Sequence, residues 1–352
     1  MQSMLGAFYA LLAGRIPEQV VWTADLSYWM EGQKQAGKGD PAWETERGYL
    51  EFHRKLGVFP YYYYEKFWLA EPRFDPEIEI SVQRDGLRTT TCYRTPVGEL
   101  VQGQIYLLTS NSTGITKHFI ESEADLDCLL SMMERRCLVS ANLDDYAQRR
   151  ALWQEYGGLP SIALPRSPLA ALAYEWAGIQ NAIYLLSDCR EKVHRLLNLM
   201  EEQEAPILEA VCRAAPPLVH FADNLSGENF AGLYDRYLGP VYRRRIQQLH
   251  AAGVRCAVHL DGTLRGLLPN LAASGFDAIE ALTPKPAGDM VVEEIRLATK
   301  NHRVILWGGV PGVLFAPPYT WKDMQAHVTR VLRSWRGQPF ILGVADQVPP
   351  DG

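Results

Sequence analysis

Apolar residues recur along this chain with two periods, one of two residues and one of three to four, and the two alternate. The clearest unit is 255–289, RCAVHLDGTLRGLLPNLAASGFDAIEALTPKPAGD. Arg255 to Leu260 reads as a strand, apolar at its centre apart from His259, and it stops at Asp261-Gly262. Alternation places His259 and Asp261, two residues apart, on one face. Leu264, Leu267, Leu268 and Leu271 then recur at helical spacing, Gly275 is placed as a helix C-cap, and Ala278 to Leu282 forms a second strand carrying Glu280. The unit is strand, helix, strand, with acids at the strand ends.

Runs that read as strands begin at 20, 58, 161, 217, 255, 278, 304 and 340, and each but the last leads into helical spacing. Eight such repeats predict an α/β fold, a (β/α)8 TIM barrel, built as a single domain over 1–352. Between Glu77 and Leu108 the pattern changes to alternating strands joined at Arg84-Asp85-Gly86 and Val97-Gly98. This predicts an antiparallel β insertion at about 77–108, either a lid over the barrel mouth or a decoration of one side. The opening MQSMLGAFYALLAGR is apolar, too short to span a bilayer, and expected to close the barrel floor as a helix. No eighth helix follows the last strand before Pro349-Pro350-Asp351-Gly352. Either the chain is cut short there, or the N-terminal helix and a partner chain, as in a homodimer, cover that seam.

A barrel of this kind holds its active site at the C-terminal ends of its strands, which selects the candidates. Asp25 ends the first strand. Tyr61 to Tyr64 follow the second, their rings either shared between core and surface or stacked on a ligand, with Tyr64 nearest the end. Arg166 leaves the third strand, and Tyr174 lies one or two helical turns later. The fourth ends in Asp223-Asn224-Leu225-Ser226-Gly227-Glu228-Asn229, either plain turn chemistry or a binding loop in which Asp223 and Asn224 act. His259, Asp261, Glu280 and Asp289 come next, then Trp307 ahead of Gly308-Gly309, where a backbone can approach a ligand closely, and finally Asp346.

Charge and cysteine usage narrow the class. A formal net charge of -6 with scattered Lys and Arg gives no basic footprint, which excludes nucleic acid as the expected partner. No stretch reads as a membrane span or a signal peptide. Cys92, Cys128, Cys137, Cys189, Cys212 and Cys256 form no CxxC pair and are expected as reduced thiols of a cytoplasmic protein acting on a small-molecule substrate.

From about residue 160 onward the chain resembles the uroporphyrinogen decarboxylase superfamily, which includes zinc-dependent, corrinoid-linked methyltransferases. HLDGTLRGLLPNLAASGFDAIEAL resembles the family's H-x-C-G, Leu-Leu-Pro, Gly-x-Asp segment. SPLAALAYEWAG resembles its S-P-F-T-x-x-x-Y segment, which places Tyr174 on the family tyrosine, and FILGVADQVPP resembles the closing segment. The departures matter more. The region TADLSYWM lacks the N-terminal arginines that a decarboxylase uses to pair a many-carboxylate tetrapyrrole, and Val344 stands where that enzyme has a histidine. Of the methyltransferases' His, Cys, Cys zinc set only His259 is kept: Asp261 replaces the first cysteine and Val344 the second.

The resemblance implies methyl transfer linked to a corrinoid on a partner protein, or to a thiol or folate acceptor. The catalytic group is then His259, Asp261, Glu280, Tyr174 and Asp223, with Asp25, Tyr64, Arg166, Asn224, Trp307 and Asp346 around the substrate. His259, Asp261 and Glu280 would hold a divalent metal, zinc or a harder ion, or else act without metal as acid and base. Cys256, three residues before His259, is expected on the opposite face of the strand. The alternatives are a decarboxylase-like or lyase-like enzyme on a smaller substrate, and a non-catalytic ligand-binding relative.

Overall fold

A computed structural model describes residues 3–300 and 303–352. The chain divides into two compact units, one of Met1–Trp68, Asn142–Ala163 and Cys212–Gly352, the other of Leu69–Ala141 and Leu164–Val211.

In the first unit Trp22–Thr23 pairs with Phe340–Ala345, followed in spatial order by Ile305–Pro311, Ala278–Leu282, Arg255–Leu260 and Leu218–Leu225, all parallel, with Ala163–Leu164 at the far edge. This is a TIM-like α/β arrangement of seven strands. The eighth expected strand, beginning at 58, is an extended segment without a regular ladder. Phe59 N donates to Trp22 O at 3.0 Å on one side, while Leu159 N and Ser161 N donate to Pro60 O and Tyr61 O, each at 3.1 Å, on the other. Pro60 has no N–H to contribute, which interrupts the ladder there.

Alternation sorts the barrel interior into layers. Leu218, Ala257, Ala278, Ile305 and Ile341, near the strand starts, pack with Ala7, Phe8 and Leu11 of the helix Met4–Leu12, the floor that the apolar N-terminus predicts. Phe8 and Phe59 stack with centroids 4.8 Å apart. One step up each strand come His259, Glu280 and Trp307, and the ladders lose register there, between Val258 and Leu260 and between Ile279 and Leu282. Bulges at that height re-aim the side chains around them.

Two helices, Ser27–Gln35 and Glu46–Leu56, follow the first strand. The second begins where the Thr45 hydroxyl accepts from Gly48 N at 3.1 Å and ends at Gly57, whose φ of 68° closes the helix in the left-handed region. The helix expected from Leu264 forms only over Leu268–Ala273, because the Asp289 carboxylate binds the Leu264 and Arg265 amides at 2.8 and 3.1 Å and holds that stretch as a loop.

The second unit holds the antiparallel insertion, longer than expected. Glu79–Asp85, Arg88–Thr95, Gly98–Leu107 and Ser112–Lys117 form one four-stranded sheet, and Ala70–Phe74 pairs with Arg136–Ser140 in another. Ser112–Lys117 is largely exposed and polar, so it carries little of the alternation that marks a strand.

Candidate functional site

His259 and Glu280 are register partners on adjacent strands. Imidazole Nδ1 lies 2.6 Å from Glu280 Oε2, and the Tyr62 hydroxyl donates to Oε1 at 2.8 Å. Glu280 is 2% exposed, where a lone carboxylate is costly, so both oxygens need these partners. Burial alone would raise its pKa; the facing imidazole and the two hydrogen bonds outweigh burial and hold it below the usual value. Burial likewise pushes His259 down, but the charges of Glu280, Asp261 and Asp346 prevail and lift it to about 9. Without a metal, the pair at neutral pH is imidazolium and carboxylate.

One donor atom each from His259, Asp261 and Asp346 falls within 4.8 Å of the others. Asp346 is pushed up to about 7, by burial first and then by Asp261, with Asp25 and Glu280 adding to it. Asp25 accepts from Ser27 N at 2.9 Å and from the Tyr64 hydroxyl at 2.6 Å, and burial raises its pKa too. The acids therefore gather around the His259 imidazole, which is the arrangement a divalent cation would relieve. Next to them opens a cavity of about 470 Å³ whose wall includes Trp43, Tyr49, Tyr62, Tyr63 and Tyr64.

Other expected residues stand elsewhere. The Leu218–Leu225 strand extends past Asp223, so Asp223 lies inside the strand, fully buried, and accepts from Tyr242. Phe221, of the same parity, also packs on Tyr242. Asn224 is exposed with φ 50°. Trp307 is 1% exposed in the core, its indole donating to Thr23 Oγ1 at 2.8 Å. In the second unit, the Arg166 guanidinium lies 6.0 Å from the centroid of the Tyr174 ring and 3.3 Å from Glu175.

Two residues beside the His259 group were not singled out by the sequence reading, which chose Tyr64 from the tyrosine run and passed over His220. Tyr62 was hidden in a run of four identical residues. His220, 3% exposed beside Tyr61 and Trp307, is pushed down to about 4 by burial, and its Nε2 has no hydrogen-bond partner among the described residues. A single histidine inside the apolar run PLVHFAD was the available signal.

The donor set can be tested against the zinc site that the motifs imply. Cys256 is buried at the other end of the His259 strand, grouped with His250 and Asp277, and burial drives its thiol well above the usual value. Among the described residues no thiol joins the His259 group, so one imidazole and two carboxylates suit a harder or borderline divalent ion. Glu280 has both oxygens engaged by His259 and Tyr62, and Asp346 is the carboxylate that lies with Asp261 within 4.8 Å of the His259 donor atom. A carboxylate on Nδ1 is the usual outer partner of a metal-bound imidazole and leaves Nε2 for the ion.

Polar residues converging at the C-terminal strand ends of a TIM-like α/β fold are the arrangement of barrel enzymes. Over residues 146–352, more than half its length, the chain matches the family described as Uroporphyrinogen decarboxylase (URO-D), and it belongs to that family. Its structure is similar to a methyltransferase from Methanosarcina mazei, with TM-score 0.62 and 13% identity over 99% of this chain and 94% of that one, a likeness of fold. A D-psicose 3-epimerase from Clostridium cellulolyticum H10 aligns with TM-score 0.34 and 9% identity over 57% of this chain and 70% of that one, too weakly to bear on function. No curated protein sequence matches the chain. Among the described residues no helix is long and apolar enough to cross a membrane.

Proposed function

We propose that this protein is a methyl-transferring enzyme of its family, with a divalent cation held by His259, Asp261 and Asp346. The observation that carries the reading is the convergence of those three donors within 4.8 Å, with Glu280 on the imidazole from behind. When bound, the ion supplies Lewis-acid charge that makes an acceptor group nucleophilic near neutral pH. Glu280 would keep a proton on Nδ1 and fix the ring, Tyr62 would anchor Glu280, and Asp261 and Asp346 would supply the carboxylates that hold the ion. A corrinoid-bearing partner as methyl carrier, with a thiol or folate acceptor, rests on the motif resemblance.

Metal analysis of protein purified without chelator tests the site: about one equivalent is expected, as for one three-donor set that leaves a position open to the acceptor. His259→Ala should lose both the ion and methyl transfer. Full transfer activity in that variant would remove the assignment. A second reading, a metal-free lyase on a small substrate, is favoured by an imidazolium at about 9 beside a carboxyl at about 7, an acid and a base both poised near neutrality. Turnover that depends on His259 in protein without metal would select it.

A further inference from the structure

We infer that the 470 Å³ cavity beside the acid cluster takes a small organic cation of the amine class, protonated or quaternary. This rests on reading the adjacent His259 group as the reacting centre. Five aromatic residues contribute to the wall, Trp43, Tyr49 and Tyr62 to Tyr64. So do four acids, Glu31, Asp40, Glu44 and Glu65, against a single base, Lys34. That base is neutralised already, its ammonium 2.6 Å from Glu44. The other three carboxylates meet neutral donors: Asp40 the amide of Ala42 at 2.9 Å, Glu31 the side chain of Gln35 at 3.3 Å, Glu65 the hydroxyl of Tyr63 at 2.9 Å. The wall therefore carries net negative charge that no side chain among its own lining residues offsets.

A third observation comes from deeper in the wall. The Tyr49 hydroxyl is buried and has no hydrogen-bond partner among the described residues, a cost that a ligand group would remove. Rings with carboxylates at their edge recognise alkylammonium groups, because the ring face attracts a cation within about 6 Å and the acids add long-range attraction. One face of Tyr63 is already occupied by the Arg149 guanidinium, 5.8 Å from its centroid, and one face of Tyr49 by the His53 ring at 3.9 Å, which leaves Trp43, Tyr62 and Tyr64 as the other rings of the wall, with the Tyr49 hydroxyl beside them. An anionic ligand finds no free base here, and a neutral one would use the rings but not the charge. Position links the cavity to the chemistry: Tyr62 and Tyr64, which line it, donate to Glu280 and Asp25.

The test is calorimetric titration of the full chain after chelator treatment, using choline, tetramethylammonium, and 3,3-dimethyl-1-butanol, which copies choline without its charge. Choline should bind saturably, with the uncharged copy roughly tenfold weaker or worse. Trp43→Leu should weaken choline by about the same factor. Lys34→Met, at an exposed position with little bearing on folding, should tighten it several-fold at low salt by freeing Glu44. Equal binding of the uncharged copy, no binding of either cation, or weaker binding in Lys34→Met would overturn the inference. Assaying methyl transfer on the same protein separates the two readings: choline binding without methyl transfer leaves this inference standing and removes the function above, and methyl transfer without choline binding does the reverse.

Discussion

Replacing Glu280 by Gln removes the charge behind His259 while leaving an oxygen for the Tyr62 hydroxyl. In the metal-free parent, His259 rises from 6.5 to about 9, a difference worth about 3 kcal/mol of folding stability. A base whose folded pKa is raised contributes this fully below its unfolded value and loses it as pH climbs through the folded one. The parent should therefore weaken by about 3 kcal/mol between about pH 6.5 and pH 9.5. In Glu280→Gln, burial still pushes the imidazole down and only Asp261 and Asp346 oppose it, so the titration falls below 9 and that slope flattens. At about pH 6 the variant should be less stable by about 3 kcal/mol, in line with removing one partner from a buried pair, and the gap should narrow toward pH 10. Chemical denaturation across this range in chelator, with histidine NMR titration, measures both quantities. A variant whose His259 still titrates near 9, or a parent whose stability stays level over the window, would refute the coupling.

Asp261→Asn should abolish bound metal and turnover, whereas Cys256→Ser, at the other end of the strand, should leave metal content unchanged; alkylation of the cysteines that strips the ion as completely as Asp261→Asn would contradict the carboxylate site. Asp346 is an acid with a raised folded pKa, so its charge penalises the metal-free fold as pH rises from 3.8 through about 7. Asp346→Asn should accordingly raise the metal-free unfolding temperature at about pH 8 and erase the further rise that added divalent ion gives the parent, both read by calorimetry. Thr23→Val strands the buried indole N–H of Trp307 and should cost about 1–3 kcal/mol in denaturant melts, while Thr23→Ser should cost much less.

How far the site was legible follows from where strands end. Period two put His259 and Asp261 on one face, and Glu280 sits opposite His259 because two strands starting at 255 and 278 meet in that register. The same reasoning failed at Asp223 by two residues. The strand runs on to Leu225, and Asp223 belongs to the face that meets Tyr242. Leu218 and His220 hold the interior parity of this strand, so Phe221 and Asp223, of the other parity, meet Tyr242 instead. The strand at 58 read well as hydrophobic pattern, but which of four tyrosines reaches the acids depends on contacts more than 200 residues away in sequence, as between Tyr62 and Glu280. Nothing local encodes that.

Asp346 reaches the His259 group although alternation along its strand predicts otherwise. Val344, where the motif resemblance implies a metal ligand, packs with Ala24, Leu26 and Val58. Gly343 faces the other way, since a Cβ there would meet Thr23 Oγ1 and Trp307 Cδ1 at 3.1 and 3.2 Å. Strict alternation would send residue 346 outward with Val344. Asp346 instead adopts φ 66°, a left-handed turn that Asp tolerates better than most residues, and this re-aims its carboxylate at His259 and Asp261. Ala281, the residue after Glu280, has φ 64° without a side chain suited to it. Conformations of that kind cost about 1–3 kcal/mol each and persist where the surroundings over-determine them. Two of them beside one imidazole imply that side-chain aim at this site is maintained against the backbone's own preference. That aim follows from bulged strand ends, which a hydrophobic pattern does not record.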